Sequence, residues 1–247
     1  ERLVLGRASG EGNLAVLIGS STGRDGIGGA SVLASAGFGD EEAEADKRPS
    51  VQVGDPFEEK RLIEACLTLL DAGLVVGIQD FGGAGLTCAT SETASRAGMG
   101  MDVDVSAVVR REPGMEPFEV MTSESQERML AIVEPDDLAE VLAICERWEV
   151  RATVVGKVTD GDALRIVDGF DGPVLGDVPA SALHDAAPKY DRPRAAPADL
   201  AERQAADPRA LPAPDDAGAD VVSMLADTAW VSSQYDHQLF LNTVVAP

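Results

Sequence analysis

A glutamine, an aspartate and a run of four hydrogen-bonding side chains are the residues of this 247-residue chain best placed to do chemistry. Gln52 and Asp80 stand at the two ends of one helix and strand pair, inside SVQVGDPFEEKRLIEACLTLLDAGLVVGIQDFGGAGLTCAT, and neither element needs them in order to fold. Asp80 ends an apolar run and is followed by the glycines of FGGAG, so a carboxylate adjoins backbone that can approach a ligand closely. Ser123, Glu124, Ser125 and Gln126 share a single connection, which is more polar capacity than capping requires. A third concentration, SSTGRDGIGGAS from Ser20 to Ser31, has the glycines that let N–H groups converge on an anion. It is not a P-loop, because no Gly-Lys-Ser/Thr follows. Each feature also has a plainer reading: a turn carboxylate for Asp80, a residue ahead of a helix for Gln52, a solvated turn at 123–126, and a tight turn at 20–31.

The elements that must position these groups follow from periodicity. Asp55 as cap, Pro56 at the first helical position and Gly73 past the end bound a helix, with Leu62, Ile63, Cys66, Leu67 and Leu70 as its apolar stripe. Leu74 to Ile78 lacks polar alternation, which predicts a strand covered on both faces. Further on, the pattern predicts a small-residue helix over 87–97 and a strand over 101–105. A short helix from Glu116 to near Thr122, a strand over 129–133 and an amphipathic helix over 135–148 come next. Ala152 to Val158 and Ala163 to Val167, joined by Thr-Asp-Gly-Asp, read as a hairpin, and Pro173 to Val178 as a further edge strand. Strands alternating with helices, with a hairpin among them, predict an α+β fold: a mixed β-sheet flanked by helices.

Composition bounds the function. A formal charge of -23 and a pI near 4.3 argue against nucleic acid or an anionic membrane as partner. Cys66, Cys88 and Cys145 are too few and too scattered for a disulfide framework or a zinc site, and read as reduced thiols of a cytoplasmic protein. No apolar run has the length of a membrane span, and the opening residues match no signal or transit peptide. The start without Met, in mid-pattern, reads as a piece of a longer chain. The acidic stretch 37–48 reads as an exposed loop. Three segments are expected: an α+β domain over 1–185, an Ala/Pro-rich linker over 186–216, and over 217–247 the opening of a further domain.

Taken in order, TGRDGIGGAS, PSVQVGDPFEEK, GIQDFGGAGL and MTSESQERM resemble the synthetase subunit of phosphoribosylformylglycinamidine synthase, of the aminoimidazole ribonucleotide synthetase-like superfamily. The later WVSSQYDHQLFLNTV is similar to that family's entry into its second half. The resemblance implies the first of two larger C-terminal domains, in an ATP-dependent, magnesium-requiring amidation of formylglycinamide ribonucleotide in purine biosynthesis. It also implies ammonia from a glutaminase subunit and a small accessory subunit in the same complex. Carried over by position, Gln52 would touch the nucleotide substrate, Asp80 would bind Mg2+, and Glu124, Ser125 and Gln126 would line the substrate site. No catalytic residue is implied here, since the family's catalytic histidine lies in a preceding domain. His184 and His237 read as surface or packing residues, and the chain departs from the family at His237 and Gln238. Other ATP users of the superfamily, such as selenophosphate synthetase or thiamine-phosphate kinase relatives, lack SESQERM and QVGDPF. From a different class, the chain alone could be a binding module without activity.

Overall fold

The computed structural model describes residues 3–27 and 54–226, apart from 194, 206 and 211. Gln52, the acidic stretch 37–48, positions 28–31 of the glycine-rich loop, and the tail from 227 with His237 lie outside the described residues. The chain divides into two compact units, Glu1–Lys189 and Tyr190–Pro247. The second contains α5 (Leu200–Ala205) and α6 (Ala217–Ala226), both short and without buried residues. The candidate site belongs to the first.

Helix α1 (Pro56–Ala72) is bounded as its sequence dictates. The Asp55 carboxylate accepts the N–H groups of Phe57 and Glu58 at 3.0 and 3.2 Å, and Gly73, at φ 74°, returns its N–H to the carbonyls of Leu69 and Leu70. Its buried face is Leu62, Ala65, Cys66 and Leu69, whereas Ile63 and Leu67 are 44% and 51% exposed. The expected stripe is thus rotated. Seven of the nine residues from 62 to 70 are apolar or small, so the pattern alone does not select one face.

Seven strands form one sheet: β1 (Leu14–Gly19), β2 (Gly77–Asp80), β3 (Gly100–Asp104), β4 (Arg128–Val133), β5 (Ala152–Thr159), β6 (Ala163–Val167) and β7 (Val174–Pro179). Their order is β2-β4-β1-β5-β3-β6-β7. Every neighbouring pair is antiparallel except β3 with β6, so the sheet is mixed, as expected. Among the described residues the other α-helices of this unit are α2 (Gly85–Ala97), α3 (Pro117–Thr122) and α4 (Leu138–Arg147), the last entered through a 3-10 turn, Pro135–Asp137.

Two expectations need correction. The strand read at Leu74 to Ile78 begins at Gly77 and ends on Asp80, and it lies at a sheet edge; Leu74 and Val75 are buried in the approach to it. The proposed hairpin is also absent: β5 and β6 do not pair, because β3 lies between them. The Asp-Gly turn does form, with Gly161 at φ 90°, but it bridges the start of β3. Gly100 makes this possible, since a Cβ there would stand 2.6 Å from Thr159 Oγ1 and 2.7 Å from the Ala163 carbonyl. The hairpin that does exist joins β6 to β7, the edge strand expected near 173–178.

Alternation along the central strands divides the core. Leu130 and Ile132 of β4 and Ala15 and Leu17 of β1 face the side covered by α2 and α3. Ala131, Val133, Val16 and Ile18 face α1 and α4. A sheet covered on both faces leaves strand ends and their loops as the place for a polar site. Among the described residues no helix is long and apolar enough to cross a membrane.

Candidate functional site

Three loops meet beside the start of β4. The segment after β1 is fixed at Thr22, whose N–H donates to the Val109 carbonyl at 2.8 Å and whose carbonyl accepts from the Arg111 N–H at 2.9 Å. The Gly23 N–H donates to Ser125 Oγ at 2.9 Å, Ser123 Oγ donates to the Gly23 carbonyl at 2.6 Å, and the Glu124 N–H donates to the Asp25 carbonyl at 2.7 Å. Ser125 Oγ in turn donates to the Asp25 carboxylate, which also pairs with Arg111. The Gly82–Gly85 loop joins through the Ala84 N–H, which donates to Glu124 Oε1 at 2.9 Å. Gly85, at φ 54°, passes so close that a Cβ would lie 1.8 Å from the Ser123 carbonyl oxygen.

Arg128 holds this junction together. It is 3% exposed. Its Nε donates to the Ser125 carbonyl at 2.8 Å, Nη2 to the Ser123 carbonyl at 2.6 Å and Nη1 to Thr22 Oγ1 at 2.9 Å. The guanidinium carbon lies 4.5 Å from the centroid of the Phe81 ring. Burial pushes its pKa down to about 10, opposed by the nearby Asp25 charge, so the group stays charged at neutral pH. The preceding residue, Glu127, has a positive φ of 55°, and its carboxylate accepts the Asp55 N–H at 2.9 Å, which ties the turn to the entry of α1. Burial raises the Glu127 pKa, and the neighbouring acidic residues Glu59, Asp55 and Glu58 add to the shift.

A cavity of about 440 Å³ opens against this junction. Asp80, Ser125 and Gln126 line it on one side, and Leu62, Ile63 and Leu67 of α1 form an apolar wall. The structure therefore brings three of the expected site residues to one place. Asp80 is exposed, and among the described residues the one hydrogen bond to its side chain is from Gln79 Nε2 at 3.0 Å. Glu124 is 5% exposed and is not part of the cavity wall; its side chain binds the Gly82–Gly85 loop instead. Ser125 contributes to the wall, but its hydroxyl is already engaged by Gly23 and Asp25. Gln126 is half-buried, with Nε2 donating to the Glu124 carbonyl at 3.0 Å. His184 lies away from the cavity wall, its Nδ1 3.3 Å from Ser95 Oγ.

Among the described residues no group of three or more His, Cys, Asp or Glu side chains is arranged to hold a metal ion. Of the expected site residues, Asp80 offers a hard, accessible carboxylate, which suits one ligand position of a magnesium ion whose remaining positions are filled by water and phosphate oxygens. Cys66 also lines the cavity, but burial pushes its thiol up to about 12, which makes it a packing residue rather than a nucleophile. Sequence reasoning gave no role to Thr22, Asp25, Phe81 or Arg128. One signal was present in RMLAIV: an arginine heads an otherwise apolar strand, and a charge at such a position requires partners.

Residues 10–169 match the family described as AIR synthase related protein, C-terminal domain. The chain belongs to that family. Within it, the chain is 53% identical over 259 residues to the phosphoribosylformylglycinamidine synthase subunit PurL of Parafrankia sp. (strain EAN1pec), covering 99% of this chain and 33% of the relative. A solved structure of Thermotoga maritima PurL complexed with FGAR matches with a TM-score of 0.71 at 38% identity, covering 79% of this chain and 31% of that one. The same organism's PurL complexed with ATP matches with a TM-score of 0.65 at 35% identity, covering 79% and 29%. Its PurLQS assembly gives 0.62 at 36% identity, covering 73% and 27%. The chain thus spans about a third of the length of the curated relatives it matches.

Proposed function

We propose that the chain supplies one wall of the active-site cleft of an ATP-dependent synthetase that converts formylglycinamide ribonucleotide to the corresponding amidine in purine biosynthesis. The observation that carries this is the meeting of Asp80, Ser125 and Gln126 in a single cavity. Support comes from a relative of T. maritima that was solved with FGAR and with ATP. The amide oxygen of the substrate is a poor leaving group. Its phosphorylation by ATP creates one that ammonia displaces, with ADP and phosphate as the other products. Mg2+ at Asp80 would gather phosphate charge during that transfer.

The residues of this chain hold and orient. Gln126 and the backbone of 124–126 would contact the substrate, Gln52 would add a contact from the approach to α1, and Glu124 would act by fixing the glycine loop rather than by touching the ligand. Ammonia would come from a glutaminase subunit, with a small accessory subunit in the complex, a composition in keeping with the PurLQS assembly of T. maritima. The first unit would be the first synthetase-like C-terminal domain and the last residues the opening of the second repeat. The full-length gene product, supplied with ATP, Mg2+, formylglycinamide ribonucleotide and ammonium, is expected to form one ADP per amidine. ADP release that does not depend on the ribonucleotide would overturn this reading in favour of another ATP user.

A further inference from the structure

Arg128 is a charge placed where charge is costly. Among the described residues it forms no ion pair within 4.0 Å, and its three hydrogen bonds go to neutral oxygens at 2.6 to 2.9 Å. A buried cation whose direct partners are all neutral, with the Asp25 charge nearby but not in contact, is poor material for stability, since an apolar residue of similar volume packs there at less cost. What the guanidinium does instead is fix the direction of two peptide planes. It draws in the carbonyls of Ser123 and Ser125, and in a trans peptide the following N–H points the opposite way. For the first plane that N–H, of Glu124, is taken by the Asp25 carbonyl. For the second, the N–H of Gln126 donates to no acceptor among the described residues, and Ser125 and Gln126 both line the cavity.

We propose that Arg128 is a positioning residue that turns the Gln126 N–H outward as a donor for an anionic oxygen of the nucleotide substrate, fixing the substrate turn against the Thr22 loop. This rests on the reading proposed above and adds to it a specific donor and the group that aims it. Phe81 keeps the guanidinium plane in place from the β2 side, so the same contact links the substrate turn to the strand end that carries Asp80. Lysine cannot substitute, because a point charge lacks the planar fork that reaches two carbonyls and a hydroxyl together.

The test uses the full-length enzyme with ATP, Mg2+, ammonium and formylglycinamide ribonucleotide. Arg128→Ala and Arg128→Lys are each expected to raise KM for the ribonucleotide about tenfold or more while KM for ATP stays within about twofold. Guanidinium at millimolar concentration is expected to restore activity to Arg128→Ala severalfold, and sodium chloride at the same ionic strength to restore none. Thr22→Val, which removes one acceptor and keeps the shape, is expected to raise the same KM by a smaller factor; it carries the test should the Arg128 variants fail to fold. Equal losses toward both substrates, or variants that are merely less stable with unchanged KM, would overturn the proposal. Wild-type enzyme without ribonucleotide-dependent turnover would overturn the underlying reading instead, so the two failures are separable.

Discussion

Two aspartates show how placement decides what a carboxylate does. Asp104 is buried at the end of β3, where it accepts the Ser106 N–H at 2.8 Å, Ser106 Oγ at 2.6 Å and the Gly169 N–H at 2.9 Å. Burial alone would raise its pKa, but these hydrogen bonds outweigh it and hold the carboxyl below its ordinary value. A carboxyl depressed in the folded state contributes stability above its unfolded pKa of 3.8 and loses it as pH falls through the lower folded value. Urea unfolding across pH 7 to pH 3 is therefore expected to show an acid limb that Asp104→Asn flattens. At neutral pH the substitution costs about 1.5–3 kcal/mol. Asp80 differs in placement, exposed at the cavity with one amide partner for its side chain among the described residues. Asp80→Asn in the full-length enzyme should lower Mg2+-dependent turnover about 100-fold and shift the thermal midpoint by no more than a degree or two, roughly. Parallel loss of activity and thermal stability would assign Asp80 to the fold.

At the scale of elements, local chemistry was legible and pairing was not. Asp55, Pro56 and Gly73 mark the limits of α1 because capping is decided by neighbours in sequence. Which face of α1 is buried depends on what the sheet presents, and Leu69 rather than Leu67 meets it. Leu69→Ala should cost about 2–5 kcal/mol, and Leu67→Ala about 0.5 kcal/mol or less, by urea unfolding. The reverse order would restore the stripe read from the sequence. The supposed hairpin failed for a related reason: the Asp-Gly turn is local, but the insertion of β3 beneath it depends on Gly100, far from the turn along the chain. The candidate site was legible as polar clusters at element ends, while Arg128 was not, since a buried arginine is recognised only by the carbonyls that surround it. Gly85 belongs to this scale as well. Gly85→Ala would bring a methyl group onto the Ser123 carbonyl in a left-handed backbone, and is expected to cost about 2–4 kcal/mol and to loosen the substrate turn.

For the whole molecule, the sheet is the frame whose edge strand β2 and adjoining loops line the cavity, which on the proposed reading is one wall of a larger cleft. Both faces of its centre are covered by helices, so the first unit has a core on each side of one sheet. On the proposed reading the remaining metal ligands come from elsewhere: among the described residues Asp80, at the strand end, belongs to no group of three His, Cys, Asp or Glu side chains that could hold a metal ion. A phosphoryl transfer clamped by a single carboxylate leaves most of the charge on the transferred group unscreened. The 247-residue chain by itself is therefore expected to bind formylglycinamide ribonucleotide weakly, at millimolar levels or thereabouts by the loss of most contacts, and to release no ADP with ATP, Mg2+ and ammonium. Calorimetric titration and an ADP assay check the two halves separately. Turnover by the isolated chain would mean that the essential groups lie within these residues, and would move the search for the base and the remaining metal ligands to the segments around Gln52 and beyond Ala226.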